Sequence, residues 1–243
     1  MKGMIFAAGL GTRLRPVTDT IPKALVPVGG VPMLGRIIRK LRDAGISEIT
    51  VNACHFREKV VNYLKDNDFG IETKVSLEDM DVPLETGGGI KHAAPLLGRG
   101  RFLVHNVDML SDIDLGKFME QDSPDSLATL LLIDAEADRY LLFDDSMRLV
   151  GWTNIRTGEV KSPFPDFDPA AYRKYSFCGI HIISDEVFGL MEDWPDRFSI
   201  IDFYLQACAT HKICGVIADN PMIIDIGSPE KLALANERIS DFQ

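Results

Sequence analysis

The stretch 5–23, IFAAGLGTRLRPVTDTIPK, most narrows what this chain can fold into. It continues an apolar run over residues 3–8, the pattern of a strand covered on both faces. A tight turn with Gly9 and Gly11 follows. Glycine takes φ > 0 at no steric cost and leaves no side chain in the path of an approaching anion. A strand that delivers bare N–H groups to one point makes a nest for phosphate oxygens. Arg13 offers a fixed fork of donors, and Lys23 adds a point charge further along. Pro16 and Pro22 restrict the loop between them, so Lys23 is held in place. The stretch predicts a polyphosphate site at the C-terminal end of the first strand. The plainer alternative is a structural turn whose Arg and Lys are only solvated.

Two better-known glycine motifs are absent. No GxxxxGK[ST] occurs, so this is no P-loop. A dinucleotide fingerprint needs GxGxxG, but Gly9 and Gly11 are followed by Leu14. It also needs an acidic residue ending the second strand, and that strand ends near the neutral Asn52.

Strand and helix patterns alternate through the first half, which predicts βαβ units. Strands are expected at 3–8, 46–52, 71–77 and 102–104, and helices at 32–44 and 58–64. Residues 83–90, PLETGGGI, predict a loop in which three glycines let the backbone approach something flat. Glu85 beside them is an acceptor for base-edge N–H groups, and the amides of Gly87 and Gly88 are donors. A flexible turn before a helix is the alternative. Asp108 follows the strand at 102–104, where open α/β sheets place ligands. Asp112 and Asp114 fit capping roles better, and His105 reads as a packed residue.

In the second half the pattern turns antiparallel. Residues 140–143 and 148–152 flank Asp144-Asp145-Ser146 as a hairpin, and Thr157-Gly158 marks a further turn. Residues 162–172, rich in Pro, Asp and aromatics, predict a mobile loop closing over a ligand. Gly179, inside the strand at 175–183, implies close approach of a ligand or another backbone. Helices are expected at 185–191 and 200–210, a strand at 212–217, and a final helix from Ser228 or Pro229.

Composition sets limits on partners. The chain has 243 residues, 46% hydrophobic and 26% charged, enough for one α/β domain with a sizeable core. A formal net charge of −10 argues against nucleic acid or an anionic membrane as partner. No signal-peptide pattern and no 18-residue apolar run is present, so a cytoplasmic protein is expected. Cys54, Cys178, Cys208 and Cys214 lack CxxC spacing and read as reduced thiols.

The residues Ala7-Ala8-Gly9-Leu10-Gly11-Thr12-Arg13-Leu14, Pro16, Thr18 and Pro22-Lys23 resemble the signature of the sugar-1-phosphate nucleotidyltransferases. The resemblance extends over nearly the whole chain. His105-Asn106-Val107-Asp108 is similar to that family's NGD motif, with Val107 in place of glycine. Phe177-Cys178-Gly179-Ile180 resembles its sugar-contacting segment, and Ile224-Asp225-Ile226-Gly227-Ser228-Pro229-Glu230 its WxDIGTPE motif without the aromatic. The resemblance implies a Rossmann-like mixed, mainly parallel sheet flanked by helices, in a single nucleotidyltransferase domain spanning 1–243. It implies nucleotide binding by Ala7, Ala8, Gly9, Gly11, Thr12, Arg13, Glu85, Gly87 and Gly88, and sugar binding by Asn106 and Gly179. Arg13, Lys23, Asp108 and Asp225 carry the implied catalysis, with Asp108 and Asp225 as ligands of Mg²⁺. The sugar phosphate is implied to meet a basic residue, with Glu159 and Lys161, or Arg173 or Lys174, as candidates. No β-helical C-terminal domain follows, so a second acetyltransferase-type activity is not expected.

The implied reaction transfers a nucleoside monophosphate from an NTP to a sugar 1-phosphate and releases pyrophosphate. Positioning and charge neutralisation do most of such chemistry, and the attacking phosphate needs no general base. The short chain and LETGGG resemble the N-acetylmuramate-1-phosphate uridylyltransferases of cell-wall recycling. Mannose- or heptose-1-phosphate guanylyltransferases come next, then phosphocholine cytidylyltransferases. A catalytically silent nucleotide-binding regulator is the alternative of another class. The partners are then small molecules, and the protein a monomer or homodimer.

Overall fold

A computed structural model describes residues 1–79 and 83–242. The elements run β1 (Lys2–Phe6), β2 (Pro27–Val28), β3 (Val31–Pro32), α1 (Met33–Asp43), β4 (Glu48–Ala53), α2 (Arg57–Asp66), β5 (Glu72–Leu77) and α3 (Glu85–Leu97). They continue with β6 (Phe102–Asn106), β7 (Met109–Ser111), α4 (Leu115–Glu120), β8 (Ala128–Ile133), β9 (Arg139–Phe143), β10 (Leu149–Asn154) and β11 (Glu159–Lys161). The last are β12 (Arg173–Ile183), α5 (Glu186–Leu190), α6 (Ile200–Ala207), β13 (Ile213–Ile217), β14 (Ile223–Asp225) and α7 (Pro229–Glu237).

A ten-stranded mixed sheet organises them, with the path β11-β10-β9-β12-β6-β1-β4-β5 and with β8 joining β12 to β13. Its centre is parallel: β1 pairs with β4 and β6, and β4 with β5. β12 pairs antiparallel with β6, β8 and β9, and β9, β10 and β11 continue antiparallel, while β13 runs parallel to β8. Alternation along β1 explains its unbroken apolar run. Met4 faces one core, with Phe102, Val104, Ile90 and Phe203. Ile5 faces the other, with Ile49, Leu103, Leu34 and Ile38. A strand covered on both faces has no position to spare for a polar residue. Helix α1 places Leu34, Ile37, Ile38 and Leu41 on one buried stripe. It stops at Ala44, and Gly45 at φ +89° takes the left-handed position that ends helices.

The structure corrects two expectations. Residues 83–90 are no open loop, because α3 begins at Glu85 and carries Gly87, Gly88 and Gly89 in its buried first turns. The segment 162–172 lines neither of the two cavities described below. Phe167 instead stacks on Tyr172 at 4.8 Å and lies over Gly151, where a Cβ would come within 2.7 Å of its ring. Pro32 stands as the residue before α1, near its first position as expected. One further pairing was not foreseen. β7 and β14 form a small antiparallel sheet in which Asp225 lies opposite Met109. Asp108, the residue before β7, and Asp225 are thereby neighbours despite their separation in the chain.

Candidate active site

The C-terminal ends of β1, β4 and β6 open into a cavity of about 550 Å³. That is where open α/β sheets collect ligands. Ala8, Gly9, Gly11, Thr12, Arg13, Lys23, Glu85, Asn106 and Asp108 line it. Gly11 is left-handed at φ +64°, and an added Cβ would sit 2.9 Å from Thr18 and 3.2 Å from Lys23. The loop therefore folds tightly back on itself. Thr18 Oγ1 donates to the Gly11 carbonyl at 2.7 Å, and fully buried Leu14 anchors the following turn in the core. Gly9 has nothing within 4 Å of where a Cβ would be, so its backbone faces open space. Ala7 lies deeper: it is buried, and its N–H donates to Asn52 Oδ1 at 2.7 Å.

Lys23 is the centre of the charged cluster. It is 9% exposed, held in a short turn of helix after Pro22, and its ammonium contacts Asp108 Oδ2. Its Nζ also lies 3.9 Å from Asp225 Oδ1. Arg13 Nη2 and Lys231 Nζ approach the other Asp225 oxygen at 4.0 and 3.9 Å. Gly227 makes room for this convergence, since a Cβ there would come within 2.7 Å of Arg13 Nη2 and 2.9 Å of Asp225 Oδ1. Asp225 Oδ1 is buried without a hydrogen-bond partner among the described residues. An orphaned buried carboxylate oxygen is costly unless a cation or ligand satisfies it. Two converging carboxylates, one with a spare oxygen, fit a magnesium ion, which takes one or two carboxylates and fills its octahedron with phosphate and water oxygens. Among the described residues no group of three or more His, Cys, Asp or Glu gathers as an all-protein cage.

Besides Ala7 and Asp225, three predicted glycines do not line the cavity. Gly87 and Gly88 both donate their N–H groups to the Phe198 carbonyl, at 2.9 and 3.2 Å, so those amides are already used. A Cβ on Gly87 would strike the Phe198 ring, and one on Gly88 the Asp196 carbonyl. The glycine run thus exists to let a strap of residues 196–199 lie against α3. Gly179, at φ +74°, lies beneath Asn106, whose side-chain amide fills the space a Cβ would need. It supports Asn106, which lines the cavity. Glu85, also left-handed at φ +61°, accepts from Arg197 Nε at 3.1 Å on the rim.

Sequence reasoning missed Asn52, Glu78, Arg197, Ser199 and Gly227, all of which line the cavity. Glu78 is 1% exposed, and its two oxygens accept from Asn52 Nδ2 at 2.6 Å and from Leu84 N–H at 3.0 Å. Its signal was available, since Asn52 and Glu78 stand at the ends of parallel strands. Arg197 and Ser199 had none, because only the strap brings them here. His105 is a packed residue, as expected: its Nδ1 lies 2.7 Å from the Asn106 carbonyl and burial lowers its pKa to about 4.

Residues 2–140 match the model of the nucleotidyl transferase family. The chain belongs to that family. It is 30% identical to an N-acetylmuramate alpha-1-phosphate uridylyltransferase of Caulobacter vibrioides, over 98% of this chain and 96% of that protein. It is 29% identical to a D-glycero-alpha-D-manno-heptose 1-phosphate guanylyltransferase of Campylobacter jejuni, over 95% of this chain and 96% of that one. The structure of HddC from Yersinia pseudotuberculosis superposes with a TM-score of 0.72 at 28% identity, covering 98% of this chain and 99% of its own. Among the described residues no helix is long and apolar enough to cross a membrane.

Proposed function

We propose that residues 1–243 form one catalytic unit that transfers a uridylyl group from UTP to N-acetylmuramate 1-phosphate, yielding UDP-N-acetylmuramate and pyrophosphate. The observation that carries this reading is Lys23 held between Asp108 and Asp225 at the mouth of a glycine-lined cavity. The sugar phosphate oxygen attacks the α-phosphorus, and the bond from that phosphorus to the β-phosphate oxygen breaks. The attacking oxygen is already anionic, so no residue need remove a proton. Arg13 and the loop amides grip the departing pyrophosphate, and Lys23 offsets charge at the α-phosphorus. Asp108 and Asp225 would hold Mg²⁺, which supplies charge neutralisation across the reacting phosphates when bound. Asn106 presents its amide to the sugar, supported by Gly179. Support for the uridylyl and muramate assignment comes from the Caulobacter relative, which aligns along nearly the full length. The Campylobacter relative favours a second reading, guanylyl transfer to a heptose or mannose 1-phosphate on the same catalytic residues. A cytoplasmic place in cell-wall recycling follows from the first reading, and Cys178, Cys208 and Cys214 standing as thiols agree with it.

The test is pyrophosphate release with Mg²⁺ for UTP, GTP, CTP, ATP and dTTP, each against N-acetylmuramate, N-acetylglucosamine, mannose, heptose and glucose 1-phosphates. UTP with N-acetylmuramate 1-phosphate is expected to be the best pair. GTP with heptose or mannose 1-phosphate would move the substrate and keep the mechanism. Nucleotide binding without release from any pair would leave a regulator.

A further inference from the structure

A second cavity of about 430 Å³ adjoins the first and shares Ser199 with it. Its floor is one face of the antiparallel sheet. Asn154 lies opposite both Arg139 and Glu159, and Trp152 opposite both Leu141 and Lys161. Cross-strand partners share a face, and residues two apart continue it. These six side chains therefore form two parallel rows. Asp202, on α6, lines the same cavity.

Most polar groups here are already committed. Lys161 Nζ lies 3.3 Å from Asp202 Oδ1, 3.7 Å from Glu159 Oε1 and 5.3 Å from the Trp152 ring centroid. Asn154 Oδ1 accepts from the Arg156 and Thr157 amides at 3.0 and 3.3 Å. Arg139 differs: among the described residues no carboxylate pairs with it and no hydrogen bond engages its guanidinium. In this cavity Arg139 is therefore the cation left to meet a ligand. Its planar fork matches a two-oxygen anion. That anion is not the 1-phosphate, which must lie at Lys23 and Asp108 in the first cavity for the attack to occur.

We propose that Arg139 reads a carboxylate carried by the acceptor sugar, and so selects acidic over neutral sugar 1-phosphates. This rests on the sugar-1-phosphate reading above. N-acetylmuramate differs from N-acetylglucosamine only by a lactyl ether that ends in a carboxylate, so the two sugars isolate the contact. Arg139 is solvent-exposed, which places its effect at the low end for hydrogen bonds to charged groups.

The experiment measures kcat/KM for the two sugar 1-phosphates with UTP, in wild type, Arg139→Met and Arg139→Lys. The preference for the acidic sugar is expected to fall about tenfold in Arg139→Met, through KM rather than kcat, and to return in part in Arg139→Lys. It should also shrink with added salt. An unchanged preference in Arg139→Met, or equal loss on both sugars, overturns the assignment. If wild type turns over neither sugar with any nucleotide, the function reading fails, and Arg139 is judged by binding alone. Titration of free N-acetylmuramate and N-acetylglucosamine, followed by NMR, then decides. A wild-type preference for the acid that Arg139→Met abolishes sustains the proposal, and no preference overturns it.

Discussion

Two segments of the chain are glycine-rich, one lining the cavity and one packed beside it, for opposite reasons. At Gly9 the backbone opens onto space with no atom within 4 Å of an added Cβ, and Gly11 is left-handed. At Gly87 and Gly88 the backbone is helical, and the missing side chains admit Phe198 and the Asp196 carbonyl. Among the described residues no hydrogen bond engages the Gly9 or Gly11 N–H, whereas the Gly87 and Gly88 N–H groups donate to the protein's own chain. Glycine in a sequence reports that something comes close. It does not report whether that something is a ligand or another part of the fold.

Substitutions separate the two cases. The largest effect belongs to the charged cluster served by the first segment. Asp108→Ala or Asp225→Ala is expected to lower kcat by roughly 10²–10³-fold or more, a loss typical of removing one preorganised charge. Circular dichroism should stay native, and near-wild-type turnover would remove both residues from catalysis. Gly88→Ala comes next and acts on stability. Alanine in a helix gains about 1 kcal/mol over glycine, but a Cβ lodged against the rigid Asp196 carbonyl costs about 1–3 kcal/mol or more. The collision outweighs the gain, so Tm should fall by several degrees, and a Tm at or above wild type would refute the packing account. Gly9→Ala should do the reverse, leaving Tm within a degree or two while raising KM for the nucleotide several-fold. A matched loss of Tm in both variants would erase the contrast.

The smallest effect is on pH dependence. His181 is buried against the Tyr204 hydroxyl at 2.8 Å, and burial lowers its pKa to about 3. Its unfolded value is about 6.5, so below that pH the unfolded chain binds the extra proton. Its contribution is complete above about pH 6.5 and is lost progressively as pH falls toward 3. His181→Gln should flatten the acid side of a Tm–pH profile, and an unchanged slope would exclude His181 as a source.

Much of the fold was legible because each element carries its own signal. The apolar run of β1, the periodic stripe of α1 with Gly45 after it, and the turns at Asp144 and Gly158 are local patterns. The charged cluster was legible for a related reason: Arg13, Lys23 and Asp108 stand at strand ends or in proline-restrained turns. Gly179 was read as a point of close approach, yet the partner is Asn106 on the neighbouring β6. The strap at 196–199 and the β7–β14 pairing were not legible, because neither exists until distant segments meet.

By itself the sequence determined a parallel α/β core, a glycine turn bearing two cations, and one carboxylate, Asp108, at a strand end; Asp225 was marked only by the family resemblance. The first three follow from local periodicity, backbone freedom and charge. Tertiary structure alone decided that Lys23 sits between Asp108 and Asp225, and that among the described residues one oxygen of Asp225 lacks a hydrogen-bond partner and Arg139, lining a second cavity, lacks an acidic one. Those facts depend on which side chains become neighbours and which lose water on folding. Proximity and desolvation are properties of the packed chain, and no stretch of residues contains them.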